Sequence, residues 1–386
     1  MPEFSIIIPV YHGERCVEQC IASLTTQSFG DFEILCVDDA SEDGSAAVLS
    51  RLSEEDRRVR VIGLERNGGC SRARRLGVLS SKGDYVLFAD QDDAYAPGAL
   101  QRLHDELVAD PVDILAFDAD VESVDGVGEE EVRGVREWMK APQVRLSGRR
   151  VLDACFLDNE YGYSLWNKAY RGDMARCAFA ATEDETVPLG EDNYAYFVLA
   201  YFAGSLRGIP GAPLYRYRYG AGFTGHGSMS LAAWRRTSTL AEAADLIRRF
   251  LERQGTWIEY EDVHAAARAH MVEYAFDHYR TEISEEDRSQ ALAIALEYWT
   301  YEEVLEGLAR SAPGDLPLLV DARFGDDPAR IELREWVEEQ ADTLSRMDEI
   351  ARARREEAAR LRERYESSRA YRLGRKATAP LRLLRR

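Results

Sequence analysis

The first 120 residues alternate short apolar runs with segments of helical periodicity, and this alternation restricts the fold more than any other feature. The run at 4–10 is continuous and apolar, which is typical of a strand buried on both faces of a sheet. Further strands are predicted at 32–37, 59–64, 84–89 and 112–117, and helices at 16–24, 45–52, 70–81 and 97–107. This alternation predicts an α/β fold with a mostly parallel sheet and helices on both faces.

The remaining sequence changes character several times. Residues 120–150 contain an acidic run and little periodicity, and we expect an exposed insertion there. Residues 151–225 have a mixed pattern rich in Tyr, Gly and Trp, and residues 230–312 have helical periodicity. Residues 329–366 predict a long charged helix, whose sparse apolar stripe fits either a short coiled coil or a solvated single helix.

The charge balance bears on the possible partners. The chain has 386 residues, with 69 acidic and 49 basic side chains and a formal charge of −20. Such a surface repels phosphates, which argues against a general DNA or RNA binder. No stretch approaches the roughly 20 apolar residues of a membrane-spanning helix. The first residues lack a basic region and lead directly into a strand, so we expect no secretory signal.

The cysteines are scattered along the chain. The six cysteines are Cys16, Cys20, Cys36, Cys70, Cys155 and Cys177. No two of them form a Cys-x-x-Cys pair, and a chain of this length can build a core without disulfides. We therefore expect reduced thiols in a cytoplasmic protein, and no structural zinc site.

Carboxylates follow the predicted strands at the sheet edge where such folds bind ligands. The strongest group is Asp90, Asp92 and Asp93, which an apolar strand delivers into a turn. Gathering like charges is costly unless a cation neutralises them, and Mg²⁺ or Mn²⁺ take oxygen ligands and bridge to phosphates. The turn therefore predicts a metal–diphosphate site, with a solvated acidic turn as the alternative.

Two other loops carry candidate binding groups. Asp39 ends the second predicted strand, where a carboxylate can accept a hydrogen bond from a nucleotide base or a ribose hydroxyl. A glycine-containing loop at 67–69 leads into a helix whose N-terminus favours anions. Three arginines lie close to that loop, each of them either an anion-binding group or a surface charge: Arg72, Arg74 and Arg75.

Four motifs occur in order over 90 residues. They are Ser-Ile-Ile-Ile-Pro-Val-Tyr at 5–11, Val-Asp-Asp-Ala-Ser-Glu-Asp-Gly-Ser at 37–45, Asn-x-Gly-x-x-x-Ala-Arg-x-x-Gly at 67–77 and Asp-Gln-Asp-Asp at 90–93. Together they resemble family 2 glycosyltransferases, which are inverting enzymes with the GT-A fold, a Rossmann-like architecture. The resemblance continues through 166–170 and 190–192 to about residue 220, somewhat over half of the chain.

The resemblance implies a set of nucleotide-sugar contacts. These residues are Pro9, Tyr11, Glu14, Asp39, Asn67, Arg74, Asp90, Gln91, Trp166 and Glu191. The Tyr11 ring would lie against the base, which suits a flat aromatic face. Asp92 would ligate Mn²⁺ or Mg²⁺, and Trp166 would either form a wall against the sugar or belong to the core.

The resemblance also implies a general base. Inverting transfer needs one group to deprotonate the acceptor hydroxyl, and by the match to the Glu-Asp motif this group is Asp192. The alternative role of Asp192 is to cap the helix that follows. His226, in a glycine-rich loop, is either an additional metal contact or an exposed side chain.

These features predict three parts. Residues 1–225 form the catalytic domain, with a nucleotide-binding half at 1–120 and an acceptor half at 121–225. Residues 226–325 form a helical domain, and residues 326–386 form the charged helix with a basic tail. The tail would either lie peripherally on the inner membrane face or be a solvated terminus, and the helix would support a homo-oligomer.

The function implied by the resemblance is metal-dependent, inverting transfer of a hexosyl or N-acetylhexosaminyl group. The donor would be a nucleotide sugar, with UDP expected, and the acceptor a hydroxyl of an envelope glycan or a lipid-linked acceptor. One alternative is a sugar nucleotidyltransferase, although the loop at 11–15 lacks the glycine-rich, basic sequence usual there. The other alternative is a non-catalytic assembly module.

Overall fold

The computed structural model describes residues 1–123, 128–220, 229–324 and 334–335. Its strands are β1 (Phe4–Val10), β2 (Phe32–Asp38), β3 (Val59–Gly63), β4 (Tyr85–Phe88), β5 (Ala94–Tyr95), β6 (Ile114–Ser123), β7 (Leu146–Ser147), β8 (Lys168–Arg171) and β9 (Ser205–Tyr219). Its α-helices in the first 220 residues are α1 (Val17–Thr25), α2 (Ser45–Glu55), α3 (Gly69–Ser80), α4 (Ala99–Ala109), α5 (Glu129–Trp138), α6 (Arg150–Phe156), α7 (Gly172–Ala181) and α8 (Glu191–Phe202). Later α-helices are α9 (Leu231–Ser238), α10 (Leu240–Gln254), α11 (Trp257–Glu282), α12 (Arg288–Ala295), α13 (Tyr301–Ser311) and α14 (Leu316–Phe324).

The strands form one sheet in the order β3-β2-β1-β4-β8-β6-β9-β5, with β7 also paired to β9. β1 pairs in parallel with β2 and β4, and β2 pairs in parallel with β3. β8 runs antiparallel to both β4 and β6, so the sheet is mixed. β2 is buried along its whole length and β1 almost so, as expected when helices cover both faces.

The predicted elements of the first 120 residues are confirmed, and the α/β fold class with them. The part of the sheet formed by β5 to β9, in which β6 and β9 pair in parallel and the other pairs are antiparallel, was harder to predict. Proline and glycine interrupt the strand pattern of β9, and the pairing of β9 with β6 shifts register between Phe117 and Ala119. The segment at 120–150, where sequence alone predicted only an exposed insertion, contains the helix α5.

The chain divides into two compact units, Met1–Ala275 and Phe276–Arg386. The predicted helical periodicity of 230–312 is confirmed, and the apolar face of α10 is buried. The proposed domain boundaries at 225 and 325 stay predictions. The long charged helix and the basic tail lie outside the described residues, apart from 334–335. No helix in the described ranges is both long and apolar enough to span a bilayer.

Candidate active site

The parallel strands bring several predicted site residues to one edge of the sheet. Val10 at the end of β1 pairs with Asp38 at the end of β2, and Ile7 pairs with Phe88 at the end of β4. Asp39 and Asp90 therefore leave the two strands that flank β1, at the same carboxyl edge. This is the position at which open α/β sheets bind ligands.

Asp39 organises the loop that begins α3. Its side chain is buried, with 3% of the residue exposed. Its two carboxylate oxygens accept hydrogen bonds from the backbone N–H groups of Gly68 (2.7 Å) and Gly69 (2.8 Å). The Asn67 amide donates to the Asp39 carbonyl at 3.4 Å. The structure thus brings Asp39 and Asn67 together, and the predicted contact of Asp39 with a base remains a prediction.

Tyr11 is presented at this edge by Gln91. The Tyr11 N–H donates to Gln91 Oε1, and Gln91 Nε2 donates to the Tyr11 carbonyl, both at 3.0 Å. The Tyr11 ring stacks on His12 with 4.0 Å between ring centroids, and 39% of Tyr11 is exposed. A fixed backbone and an accessible ring suit the predicted stacking on a nucleotide base.

The loop after β1 is bound to the loop after β2. The N–H groups of His12, Gly13 and Glu14 donate respectively to Ser41 Oγ (3.1 Å), Ser45 Oγ (2.8 Å) and Asp43 Oδ2 (3.3 Å). Glu14 Oε2 accepts in return from the Gly44 N–H at 3.2 Å. Glu14 is therefore held at the site edge, and Pro9 lies half-buried within β1.

Arg74 joins the two acidic motifs. Its side chain is 4% exposed, and Nη2 donates to Asp90 Oδ1 at 2.9 Å. Nη1 forms an ion pair with Asp192 and lies 3.6 Å from Glu191 Oε1. Gly77 allows α3 this close approach to the sheet, because a Cβ there would lie 2.4 Å from Ile7 Cγ2. One buried guanidinium thus holds Asp90 beside Asp192.

Asp192 lies in the first turn of α8, directly after Gly190 and Glu191. Gly190 has a φ of +84°, and a Cβ there would lie 2.9 Å from Leu240 Cδ2, which favours glycine. Burial raises the pKa of Asp192 to about 7, helped by the charges of Glu191 and Asp90 and opposed by Arg74. A carboxylate with a pKa near neutrality is suited to accept a proton.

We call residues 90–93 the acidic turn, and its three aspartates have different environments. Asp93 is buried and accepts hydrogen bonds from the Tyr215 hydroxyl (3.0 Å) and the Arg218 N–H (2.8 Å). It therefore anchors the turn to β9. Asp92 is half-buried, and its pKa is raised by burial and by the Asp90 charge, with Arg218 opposing.

The acidic turn fits a divalent cation that is completed by a ligand. Within the described residues, no group of three or more His, Cys, Asp or Glu side chains is arranged to hold a metal ion. Mg²⁺ and similar ions often use only one or two protein carboxylates together with substrate phosphates. The neighbouring carboxylates Asp90 and Asp92 meet that requirement. His226, the other predicted metal contact, lies outside the described residues.

Trp166 is in the core, the alternative that the sequence left open. Only 4% of it is exposed, and its ring stacks on Tyr215 and Tyr217. Its predicted contact with a sugar stays a prediction.

Sequence analysis missed the contribution of β9 to the site. Tyr215, Tyr217 and Arg218 all lie near the acidic turn, as the contacts and charges of Asp92 and Asp93 show. The alternation Tyr-Arg-Tyr-Arg-Tyr at 215–219 was the available signal, because a period of two predicts a strand.

With this geometry established, the comparison with protein families is decisive for the N-terminal part. The family described as glycosyl transferase family 2 matches residues 5–163. Residues 5–163 belong to glycosyl transferase family 2. The matched range of this family 2 domain contains β1 to β7, Asp39 and the acidic turn, and it ends before Trp166 and Asp192.

Curated relatives resemble the family 2 domain over limited lengths. The uncharacterized glycosyltransferase EpsJ of Bacillus subtilis is 38% identical over 115 residues, which are 30% of this chain and 33% of EpsJ. The succinoglycan biosynthesis protein ExoO of Rhizobium meliloti is 28% identical over 204 residues, which are 52% of this chain and 55% of ExoO. The matched parts of this chain thus span about a third of the length of EpsJ and just over half of the length of ExoO.

Solved structures extend the likeness in fold beyond the family 2 domain. Residues 1–349 of S. aureus TarS, in complex with UDP-GlcNAc, match with a TM-score of 0.53 and 20% identity. The match covers 89% of this chain and 92% of that TarS chain. The likeness agrees with the predicted GT-A fold.

Proposed function

We propose that the protein is a metal-dependent, inverting glycosyltransferase that uses a nucleotide sugar, with UDP as the nucleotide. The observation that carries this proposal is the buried Arg74 bridge between Asp90 and Asp192. It supports the proposal because the acidic turn, which would suit a diphosphate with its cation, lies next to a carboxylate that would suit the role of base. Donor cleavage and acceptor activation need these two groups side by side.

The nucleoside would lie along the edge formed by the loops after β1 and β2. The exposed Tyr11 ring offers a stacking face, and Gln91 fixes its backbone. Asp39, close to that edge, would accept a hydrogen bond from the base with a lone pair not used by Gly68 and Gly69. Glu14 would contact the nucleoside from the same loop.

The chemical step requires a proton acceptor. Asp192 would take the proton of the acceptor hydroxyl as that oxygen attacks the anomeric carbon, which inverts the configuration. Mn²⁺ or Mg²⁺ held by Asp92 would stabilise the negative charge of the departing nucleoside diphosphate. Arg74 keeps Asp192 directed towards Asp90, so that the base faces the donor.

The acceptor and location are proposed from the relatives. ExoO is named for succinoglycan biosynthesis, and B. subtilis TuaG is named a putative teichuronic acid biosynthesis glycosyltransferase. These names support a growing envelope glycan or a lipid-linked acceptor as the substrate, and we propose the cytoplasm as the location.

The loop after β1 argues against the nucleotidyltransferase alternative. Such enzymes usually cradle a triphosphate with the backbone N–H groups of a loop after the first strand. Here the corresponding N–H groups of His12, Gly13 and Glu14 donate to side chains of the next loop. They are therefore not presented to a phosphate.

Hydrolysis and transfer with a panel of nucleotide sugars test the proposed function. We expect slow release of UDP from one or more UDP-sugars in Mn²⁺, faster release when an acceptor is added, and loss of release in EDTA. UDP-GlcNAc and UDP-glucose are the first donors to assay, together with GDP-mannose as a nucleotide control. Release of pyrophosphate from UTP and a sugar phosphate would instead establish a nucleotidyltransferase.

A further inference from the structure

Three aromatic rings stack next to the acidic turn, and we call Trp166, Tyr215 and Tyr217 the aromatic stack. The Trp166 ring centroid lies 4.6 Å from that of Tyr215 with an interplanar angle of 15°. It lies 5.0 Å from that of Tyr217 with an angle of 16°. Tyr215 and Tyr217 are two residues apart on β9, and side chains at that spacing share a face of the strand.

Two members of the aromatic stack are structural. Tyr215 is fully buried, and its hydroxyl accepts from the Asp90 N–H and donates to Asp93 Oδ2, both at 3.0 Å. Trp166 is almost fully buried as well. Tyr217 is only half-buried and is thus the member that reaches the surface.

Tyr217 lies near both the acidic turn and the candidate base. The N–H of the next residue, Arg218, donates to Asp93 Oδ1 at 2.8 Å, which fixes this part of β9 against the turn. Asp90 and Asp192 both contact the Arg74 guanidinium, which therefore lies directly between them. Burial is the main cause of the raised pKa of Tyr217, and the charges of Asp90, Asp93 and Asp192 raise it further.

In the proposed reaction the transferred sugar has to lie beside Arg74, within reach of both the acidic turn and Asp192. Its anomeric carbon is bonded to the diphosphate at the acidic turn and is attacked by the hydroxyl that Asp192 deprotonates. A pyranose ring has a flat face of C–H groups, which packs on an aromatic ring and is shielded from water there. We propose that Tyr217, supported from behind by Trp166, is the surface on which the pyranose ring of the donor packs.

This inference rests on the proposed function and adds a sugar-binding residue that the family 2 match, which ends at residue 163, does not contain. It also gives the buried Trp166 a role through Tyr217: Trp166 fixes the plane of the ring that meets the sugar. Binding of UDP alone should not depend on Tyr217, because the nucleotide lies on the other side of the diphosphate.

Calorimetric titration of the full-length chain with UDP, UDP-glucose and UDP-GlcNAc in Mn²⁺ tests the inference. We expect Tyr217→Ala to weaken binding of the preferred UDP-sugar by about tenfold and to leave UDP affinity unchanged. Tyr217→Phe should retain the wild-type affinity for that UDP-sugar, because the ring and not the hydroxyl makes the contact. Tyr260→Ala is the matched control, since Tyr260 is also half-buried and packs on another tyrosine, Tyr201, with centroids 5.3 Å apart.

Two results would overturn the inference. They are unchanged UDP-sugar affinity in Tyr217→Ala, and an equal loss of UDP and UDP-sugar affinity. If the wild-type protein bound neither UDP nor a UDP-sugar, the proposed function would fail and this inference with it. Normal wild-type binding with an unaffected Tyr217→Ala variant would remove only the role of Tyr217.

Discussion

Asp192→Asn lowers kcat for sugar transfer by about 10²–10⁴-fold in this account, because asparagine keeps the size of the side chain but cannot take up the acceptor proton. The affinity for UDP in Mn²⁺ should stay close to that of the wild-type protein, since Asp192 is not placed on the nucleotide. Steady-state transfer assays and calorimetric titration with UDP measure the two quantities separately.

A matched control for this variant is Asp184→Asn. Asp184 is an exposed aspartate that pairs with Arg72 at 2.9 Å. Arg72 lies on α3, the helix that also carries Arg74. Its loss should leave kcat near the wild-type value. Full turnover by Asp192→Asn would remove Asp192 from the role of base.

The same residue sets an expected pH dependence. Only ionised Asp192 can accept a proton, and burial raises the pKa of this carboxyl to about 7. kcat/KM should therefore be low in acid and rise as the pH passes through about 7, and the residual activity of Asp192→Asn should lack this rise. A wild-type profile that is flat from about pH 5 to pH 8 would contradict the assignment.

Asp92→Ala is expected to lower kcat by about 10²–10³-fold, because the charge of the leaving diphosphate loses its cation. Unlike Asp192→Asn, it should also reduce UDP affinity in Mn²⁺ to the value measured in EDTA. Titration with UDP in Mn²⁺ and in EDTA, for both proteins, gives this comparison directly.

Asp105→Ala provides the control for loss of a carboxylate elsewhere. Asp105 is exposed on α4 and accepts a hydrogen bond from Gln101 at 2.9 Å. Its removal should change neither kcat nor the metal dependence of binding. If Asp92→Ala kept Mn²⁺-supported UDP affinity, Asp92 would not be the metal ligand.

The parallel half of the fold could be predicted from sequence because each strand there is a short apolar run ended by polar residues. β1 and β2 are buried on both faces, and their composition shows it directly. β9 could not be predicted in the same way, because Gly208, Pro210 and Gly211 break its alternation. Its ladder with β6 is stabilised by partners about 90 residues away in sequence, such as Leu206 for Ile114.

The candidate site was predictable in its residue types but not in its connections. Motif spacing indicated Asp39, Asp90 and Asp192 as candidate groups. Two of them, Asp90 and Asp192, share the Arg74 guanidinium. The resemblance singled out Arg74 as a nucleotide-sugar contact. Sequence could not show that Arg74 bridges these carboxylates, because only helix packing decides which of the three arginines on α3 is buried. Nor could it show that Asp93 anchors β9 while Asp92 remains half-buried, because their chain positions are adjacent.

The central claim is that the edge from Tyr11 and Asp39 to the acidic turn and Asp192 forms one nucleotide-sugar site. A crystal structure of the protein grown with UDP and Mn²⁺ tests it most directly. The account predicts the uracil ring at Tyr11 and Asp39, the diphosphate with the cation at Asp92, and Asp192 facing the free end of the diphosphate. UDP bound away from this edge, or Mn²⁺ bound without contact to Asp92, would contradict it.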